Sequence, residues 1–101
     1  MVFIYITCKD VREAKKISLH LLKKRLIACS NLFPIQSMYW WNNKIENSNE
    51  YALFAKTTKK QFNKIIDQVQ KIHSYDVPCI CLIDSKGNKL FERWVNKETI
   101  S

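Results

Sequence analysis

Glycine and proline are scarce in this chain: one Gly and two Pro occur among 101 residues. A single glycine excludes the Gly-rich loops that hold phosphate groups, because such loops need several positions without a side chain. Since 47% of the residues are hydrophobic and no segment is of low complexity, extended disorder is excluded as well. We therefore expect one ordered domain spanning residues 1–101.

The chain also lacks a long hydrophobic run. Residues 1–6 are apolar, but this stretch is too short to cross a bilayer, and no small-residue cleavage pattern follows it. No secretory signal accompanies the four cysteines, so we expect reduced thiols. These absences predict a cytoplasmic protein without membrane contact.

Acidic residues are few: 17 Lys and Arg stand against nine Asp and Glu, which gives a formal net charge of +8. Such a charge raises the question of nucleic acid or an anionic membrane. However, ten of the 17 basic residues fall in two predicted helices, residues 10–25 and 58–73. Residues 26–55 contain only one basic residue, Lys44. The basic charge therefore belongs to helix faces.

Hydrophobic periodicity predicts alternating strands and helices. Asp10 suits the N-cap of the first helix, with Glu13 completing a capping-box pattern, and Thr57 or Thr58 suits the N-cap of the second. The predicted elements are strands at 2–7, 28–41, 44–57 and 77–83, helices at 10–25 and 58–73, and a short terminal helix around 90–95. This β-α-β-β-α-β order predicts an α+β, ferredoxin-like sandwich with both helices on one face of a four-stranded antiparallel sheet.

The two middle strands are predicted to form a long hairpin around Asn42-Asn43, because Asn tolerates the positive φ that a two-residue primed turn requires. In that register Trp41 faces Lys44, Trp40 faces Ile45 and Tyr39 faces Glu46. One interpretation is that these aromatics only stiffen the hairpin. The other is that Tyr39, Trp40 and Trp41 form a contact surface, since large exposed apolar patches usually mark interaction sites.

The sheet face without helices is predicted to be covered by another subunit. The first strand is apolar in both phases, Phe3 and Tyr5 against Ile4 and Ile6, as expected for a strand buried on both faces. A second copy of the chain is the simplest cover. RNA is not an expected occupant of this face, because residues 50–56 lack the glycine found in the third-strand motif of RNA-binding sheets.

Signals for catalysis are weak, and we expect no enzymatic activity. The sequence shows no Ser-His-Asp order, no paired catalytic carboxylates and no zinc-type C-x-x-C spacing.

Cys79 and Cys81 form a C-x-C in a predicted strand, which would place their sulfurs on one face about 7 Å apart. They could hold a soft ion with a third ligand, or act as small hydrophobes. His73 could cap the second helix or bind a metal.

Four segments together resemble the CutA divalent-cation tolerance family over residues 2–95. They are Ala28-Cys29-Ser30-Asn31, the hairpin from Tyr39 to Glu46, Lys56-Thr57, and His73-Ser74-Tyr75-Asp76-Val77-Pro78. The resemblance implies a homotrimer in which long hairpins and last strands pair between subunits. It also implies tolerance to copper and other divalent cations, with Cys29 and His73 as the metal ligands and copper as a possible rather than a required ion.

The chain departs from the family pattern at three positions. Asn43 stands where the family has Gly, Ser74 where it has Pro, and Cys79 where it has Glu. The change to Asn43 is physically conservative, whereas Cys79 replaces a carboxylate by a thiol and favours a softer ion.

An alternative hypothesis is a trimeric sensor similar to the PII signalling proteins, which bind anions between subunits. We assign Lys44, Glu46, Lys56 and Tyr75 to a ligand site or inter-subunit cleft on this basis.

Overall fold

The computed structural model describes residues 1–100. Its strands are β1 (Val2–Cys8), β2 (Cys29–Trp41), β3 (Lys44–Thr57) and β4 (Ile80–Asp84), and its helices are α1 (Val11–Lys23), α2 (Phe62–Ile72) and α3 (Lys89–Glu98). The strands form one antiparallel sheet in the order β2-β3-β1-β4. This order confirms the predicted α+β arrangement.

The core lies between one face of the sheet and the two long helices. Alternate β1 side chains enter it, from Val2 through Ile4 and Ile6 to Cys8, and all are buried. Ile17 and Leu21 of α1 pack on them, together with Ile65 and Val69 of α2. The alternation of side chains along a strand fixes which residues face the helices.

The opposite side of the sheet, which we call the outer face, carries apolar side chains with no helix over them. Its members include Phe3, Tyr5, Phe33, Phe54, Cys81 and Ile83. The Phe3 and Phe54 rings lie 4.7 Å apart at their centroids, while Phe33 and Ile83 are each more than 40% exposed. Within one subunit, therefore, only one face of β1 is fully buried. Burial of both faces, as expected from the sequence, would need a second chain.

The predicted hairpin register is confirmed. Trp41 pairs with Lys44, and Asn42 and Asn43 have φ values of 51° and 63°. Both values lie in the left-handed region that the predicted primed turn requires.

The hairpin projects well beyond the rest of the sheet. β1 pairs only with Tyr51–Thr57 of β3, so residues 44–50 extend past it by about 23 Å at the usual rise per residue. The projection agrees with principal extents of 45 × 26 × 21 Å.

Two local expectations differ from the structure. No Thr side chain caps α2, which begins instead with a 3-10 turn at Lys59–Gln61. The Thr57 hydroxyl donates to the carbonyl of Leu26 (2.6 Å). β4 begins at Ile80 rather than at residue 77, because residues 73–79 must first carry the chain from α2 back to the sheet.

The N-terminus of α1 is capped nearly as predicted. The Asp10 carboxylate accepts from the N–H of Glu13 (2.8 Å), but the Glu13 carboxylate accepts from Lys9 rather than from Asp10. Of the helices within residues 1–100, none has the length and apolar character needed to cross a membrane.

Candidate functional site

A groove of about 860 Å³ lies between the hairpin and the segment 73–79 that links α2 to β4. One wall is residues 36–41 of β2, and the other is residues 74–77, with Cys79 and Glu50 at its base. The groove contains Tyr39, Trp40, Trp41 and Tyr75, which were assigned to a contact surface or a ligand cleft from the sequence, and also Cys79 of the C-x-C.

A buried carboxylate is fixed in this groove. Glu50 is 7% exposed, and its Oε2 accepts a hydrogen bond from the Tyr75 hydroxyl (2.5 Å). Burial raises the pKa of Tyr75, and the hydrogen bond to Glu50 raises it further, so the phenol is neutral at physiological pH. Sequence reasoning missed Glu50, although its alternation with Phe54 already placed an acid among apolar outer-face positions.

His73 is the predicted metal ligand that the structure buries most completely. Its side chain has no exposed surface. Nδ1 accepts from the N–H of Tyr75 (3.0 Å), so the ring proton is on Nε2, which donates to the carbonyl of Thr7 (2.8 Å). The ring is therefore held from both sides by backbone groups.

Cys29 does not share a site with His73 inside one subunit. Cys29 pairs across the sheet with Lys56, and Lys56 pairs with Phe3, whereas His73 contacts Thr7. Phe3 and Thr7 are separated by about 13 Å of strand. The two predicted ligands therefore cannot bind the same ion in a single chain.

A different thiol lies beside His73. Ligand atoms of Cys8, Glu13 and His73 all lie within 4.8 Å of one another, and His73 Nδ1 is 3.9 Å from Glu13 Oε1. Neither Cys8 nor Glu13 was chosen as a ligand from the sequence, because the three residues come from β1, α1 and the end of α2 and meet only in the fold.

The C-x-C pair is closer than predicted. The sulfurs of Cys79 and Cys81 lie 3.6 Å apart, not about 7 Å, because Cys79 precedes β4 and is not held in regular strand geometry. Burial raises the pKa of Cys79 to about 11, and its contact with Cys81 adds to the effect. All four cysteines are free thiols.

The residues assigned to an anion cleft are not brought together within one subunit. Lys44 and Glu46 lie at the hairpin tip, while Lys56 lies at the other end of β3, about 40 Å from Lys44 along the strand. Of the four, only Tyr75 lines the groove.

Comparison with known proteins gives a consistent family. Residues 2–98 match the family described as CutA1 divalent ion tolerance protein. The divalent-cation tolerance protein CutA of Archaeoglobus fulgidus is 45% identical over 96 residues, which is 94% of each chain. The crystal structure of CutA1 from Pyrococcus horikoshii superposes with a TM-score of 0.95 at 35% identity and full coverage of both chains.

A second solved structure is that of the A. fulgidus protein, named as a periplasmic divalent cation tolerance protein. It superposes with a TM-score of 0.94 at 44% identity and covers 97% of this chain and 98% of its own. The names of these relatives describe cation tolerance rather than a catalysed reaction. With a family match over residues 2–98 and relatives of this identity and coverage, the chain belongs to the CutA1 divalent ion tolerance family.

Proposed function

We propose that this protein is a cytoplasmic homotrimer that takes part in tolerance to divalent metal ions and binds copper through its thiols. The observation that carries the proposal is the apolar surface left open on the outer face and the hairpin. The names of its relatives support the role in cation tolerance, and the resemblance to the family supplies the number of subunits.

The hairpin is apolar on both of its faces, which argues for a partner chain rather than for stiffening alone. Met38, Trp40 and Ile45 lie in one phase and are 73%, 71% and 63% exposed. Tyr39 and Trp41 lie in the other phase and are also exposed. A projecting ribbon with this much open apolar surface is typical of an interaction site.

The sheet edges provide a way to join subunits. β2 and β4 are the two edge strands, so each presents unpaired backbone N–H and C=O groups. Pairing of these edges between chains would give the groups hydrogen-bond partners, and contact between the sheets of different chains would cover the outer face. The near neutrality of residues 26–55 removes a repulsion that the net charge of +8 would otherwise impose on a self-contact.

The donor atoms that best fit copper are those of Cys79 and Cys81. Cu(I) prefers soft thiolate ligands, and these two sulfurs are only 3.6 Å apart. Cys29 and His73, the ligands that the family resemblance implies, do not lie together in one subunit. We therefore expect neither of them to dominate the Cu(I) affinity.

A titration of the reduced protein with Cu(I) tests the copper proposal. We expect the Cys79→Ser and Cys81→Ser variants each to lower Cu(I) affinity by at least tenfold, while Cys29→Ser, the matched single-thiol control, changes it little. His73→Ala measures the imidazole contribution. Equal affinity in the parent and in both C-x-C variants would contradict the assignment, as would the absence of Cu(I) binding in the parent.

The cytoplasmic location is part of the proposal, although one relative is named as periplasmic. Nothing in the structure favours the alternative of an anion sensor, since Lys44 and Lys56 lie at opposite ends of β3.

A further inference from the structure

Three buried side chains meet where the end of β1, the first turn of α1 and the end of α2 come together. Cys8 has no exposed surface, Glu13 is 7% exposed and the His73 side chain is fully buried. Their ligand atoms, a sulfur, a carboxylate oxygen and an imidazole nitrogen, lie within 4.8 Å of one another.

The histidine is oriented as in protein metal sites. Nε2 donates to the carbonyl of Thr7, which fixes the tautomer and leaves Nδ1 as the acceptor nitrogen of the ring. Nδ1 lies 3.9 Å from Glu13 Oε1 and accepts the N–H of Tyr75 (3.0 Å). A backbone carbonyl that accepts the second ring N–H is a usual outer partner of a metal-bound histidine.

The carboxylate is also held in place and ionised. The N–H of Lys9 donates to Glu13 Oε1 (3.0 Å), and the N–H of Ser74 donates to Oε2 (2.9 Å). Burial opposes ionisation of Glu13, but these hydrogen bonds outweigh it and lower the pKa of Glu13. Each carboxylate oxygen keeps a further lone pair that could bind an ion.

We propose that Cys8, Glu13 and His73 form a metal site within each subunit, selective for a borderline divalent cation of the Zn²⁺ and Co²⁺ type. One sulfur, one nitrogen and one oxygen ligand form the mixed set that such ions accept, with water completing a tetrahedron. A site with a single oxygen ligand does not suit Ca²⁺ or Mg²⁺. The thiolate and the carboxylate together balance the charge of the cation.

Binding requires two changes in the cluster. The Cys8 thiol, whose pKa burial raises to about 12, loses its proton to solvent as the metal–sulfur bond forms. The N–H of Tyr75 must leave Nδ1, and the ligand atoms must approach by about 1 Å to reach normal bond lengths. Ser74 and Tyr75 belong to an irregular segment, so this shift breaks no helix or strand.

This inference deepens the proposed function and rests on it only for the biological role of the site. Co²⁺ titrated into the intact, reduced, metal-free protein provides the test, because tetrahedral Co²⁺ absorbs in the visible range and a thiolate ligand adds a charge-transfer band in the near ultraviolet. We expect both signals in the parent, with about one proton released per ion bound at neutral pH, and displacement of Co²⁺ by Zn²⁺.

Cysteine variants assign the signal to a residue. Cys8→Ser should abolish the charge-transfer band, and Cys29→Ser and Cys81→Ser should keep it. Glu13→Gln, which preserves the size of the side chain, should weaken Co²⁺ binding by roughly tenfold or more, and it supplies the answer if circular dichroism shows that Cys8→Ser does not fold. A band that persists in Cys8→Ser, unchanged affinity in Glu13→Gln, or no tetrahedral signal in the parent would overturn the site.

The result is independent of the copper proposal. If Co²⁺ gives no signal while Cu(I) binding and assembly remain, the buried site is wrong and the proposed function stands. If Cu(I) binding or assembly fails while the Co²⁺ signal depends on Cys8, the proposed function is wrong and the buried site stands.

Discussion

At the scale of single residues, the groove depends on polar groups that are buried in pairs. Glu50 has one side-chain partner, Tyr75, which comes from a segment 25 residues further along the chain. A carboxylate at 7% exposure is costly to bury unless it is hydrogen-bonded. The Tyr75 hydroxyl therefore stabilises the position of Glu50 and joins the 73–79 segment to the sheet.

Removing that hydroxyl should destabilise the fold. We expect Tyr75→Phe to lower the free energy of unfolding by about 1–3 kcal/mol, because it leaves a buried acceptor without its donor. Tyr39→Phe is the matched control, since the Tyr39 hydroxyl makes only a long, exposed contact with Ser48 (3.3 Å). Urea unfolding of the two variants under the same conditions measures the difference, and equal stabilities would contradict this role of Tyr75.

Residue-level prediction from the sequence succeeded where the signal was local and failed where it was not. The Asn42-Asn43 turn was predictable because its geometry depends on those two residues alone. Glu50 and Glu13 were missed as site residues, because their partners Tyr75 and Ser74 are distant in the chain. The distance between Cys79 and Cys81 was wrong for a related reason: it assumed a regular strand at a position that precedes β4.

At the scale of elements, the C-terminal end of α1 contains a non-glycine residue in the unfavourable left-handed conformation. The N–H of Leu26 bonds to the carbonyl of Leu21 and that of Arg25 to Leu22, with both distances 3.0 Å. This is the Schellman pattern, which places the residue after the C-cap in the left-handed region. That residue is Arg25, with φ of 59°, where glycine would be favoured.

Glycine at this position should therefore stabilise the protein relative to alanine. Arg25→Ala and Arg25→Gly both remove the exposed ion pair of Arg25 with Glu98 (2.6 Å), but only glycine removes the cost of positive φ. We expect Arg25→Gly to exceed Arg25→Ala by about 1 kcal/mol in free energy of unfolding. Thermal or urea unfolding of the pair provides the comparison, and a more stable Ala variant would show that the strain is absent.

Element order was predictable because hydrophobic period and length distinguished each strand from each helix. The boundaries of α2 and β4 were less predictable than the order of the elements. The Thr57 hydroxyl is used by Leu26, which lies outside the helix it was expected to cap. Val77 is strand-like in sequence, but in the structure it is exposed in the link from α2 and lies outside β4.

At the scale of the whole molecule, the subunit has an open side. The helices cover one face of the sheet, while the outer face, both edge strands and the projecting hairpin are left without a partner. Exposed apolar surface of this extent favours association, since burial contributes roughly 25 cal/mol per Å² removed from water. The number of subunits comes from the family resemblance and is the claim most open to direct measurement.

Sedimentation equilibrium or light scattering of the reduced 101-residue chain at micromolar concentration measures that number. We predict a single species with three times the 12.0 kDa mass of the chain, and a Trp40→Lys variant that shifts toward smaller species because it places a charge in the proposed contact. A parent protein that stays at 12.0 kDa across the concentration range would contradict the account.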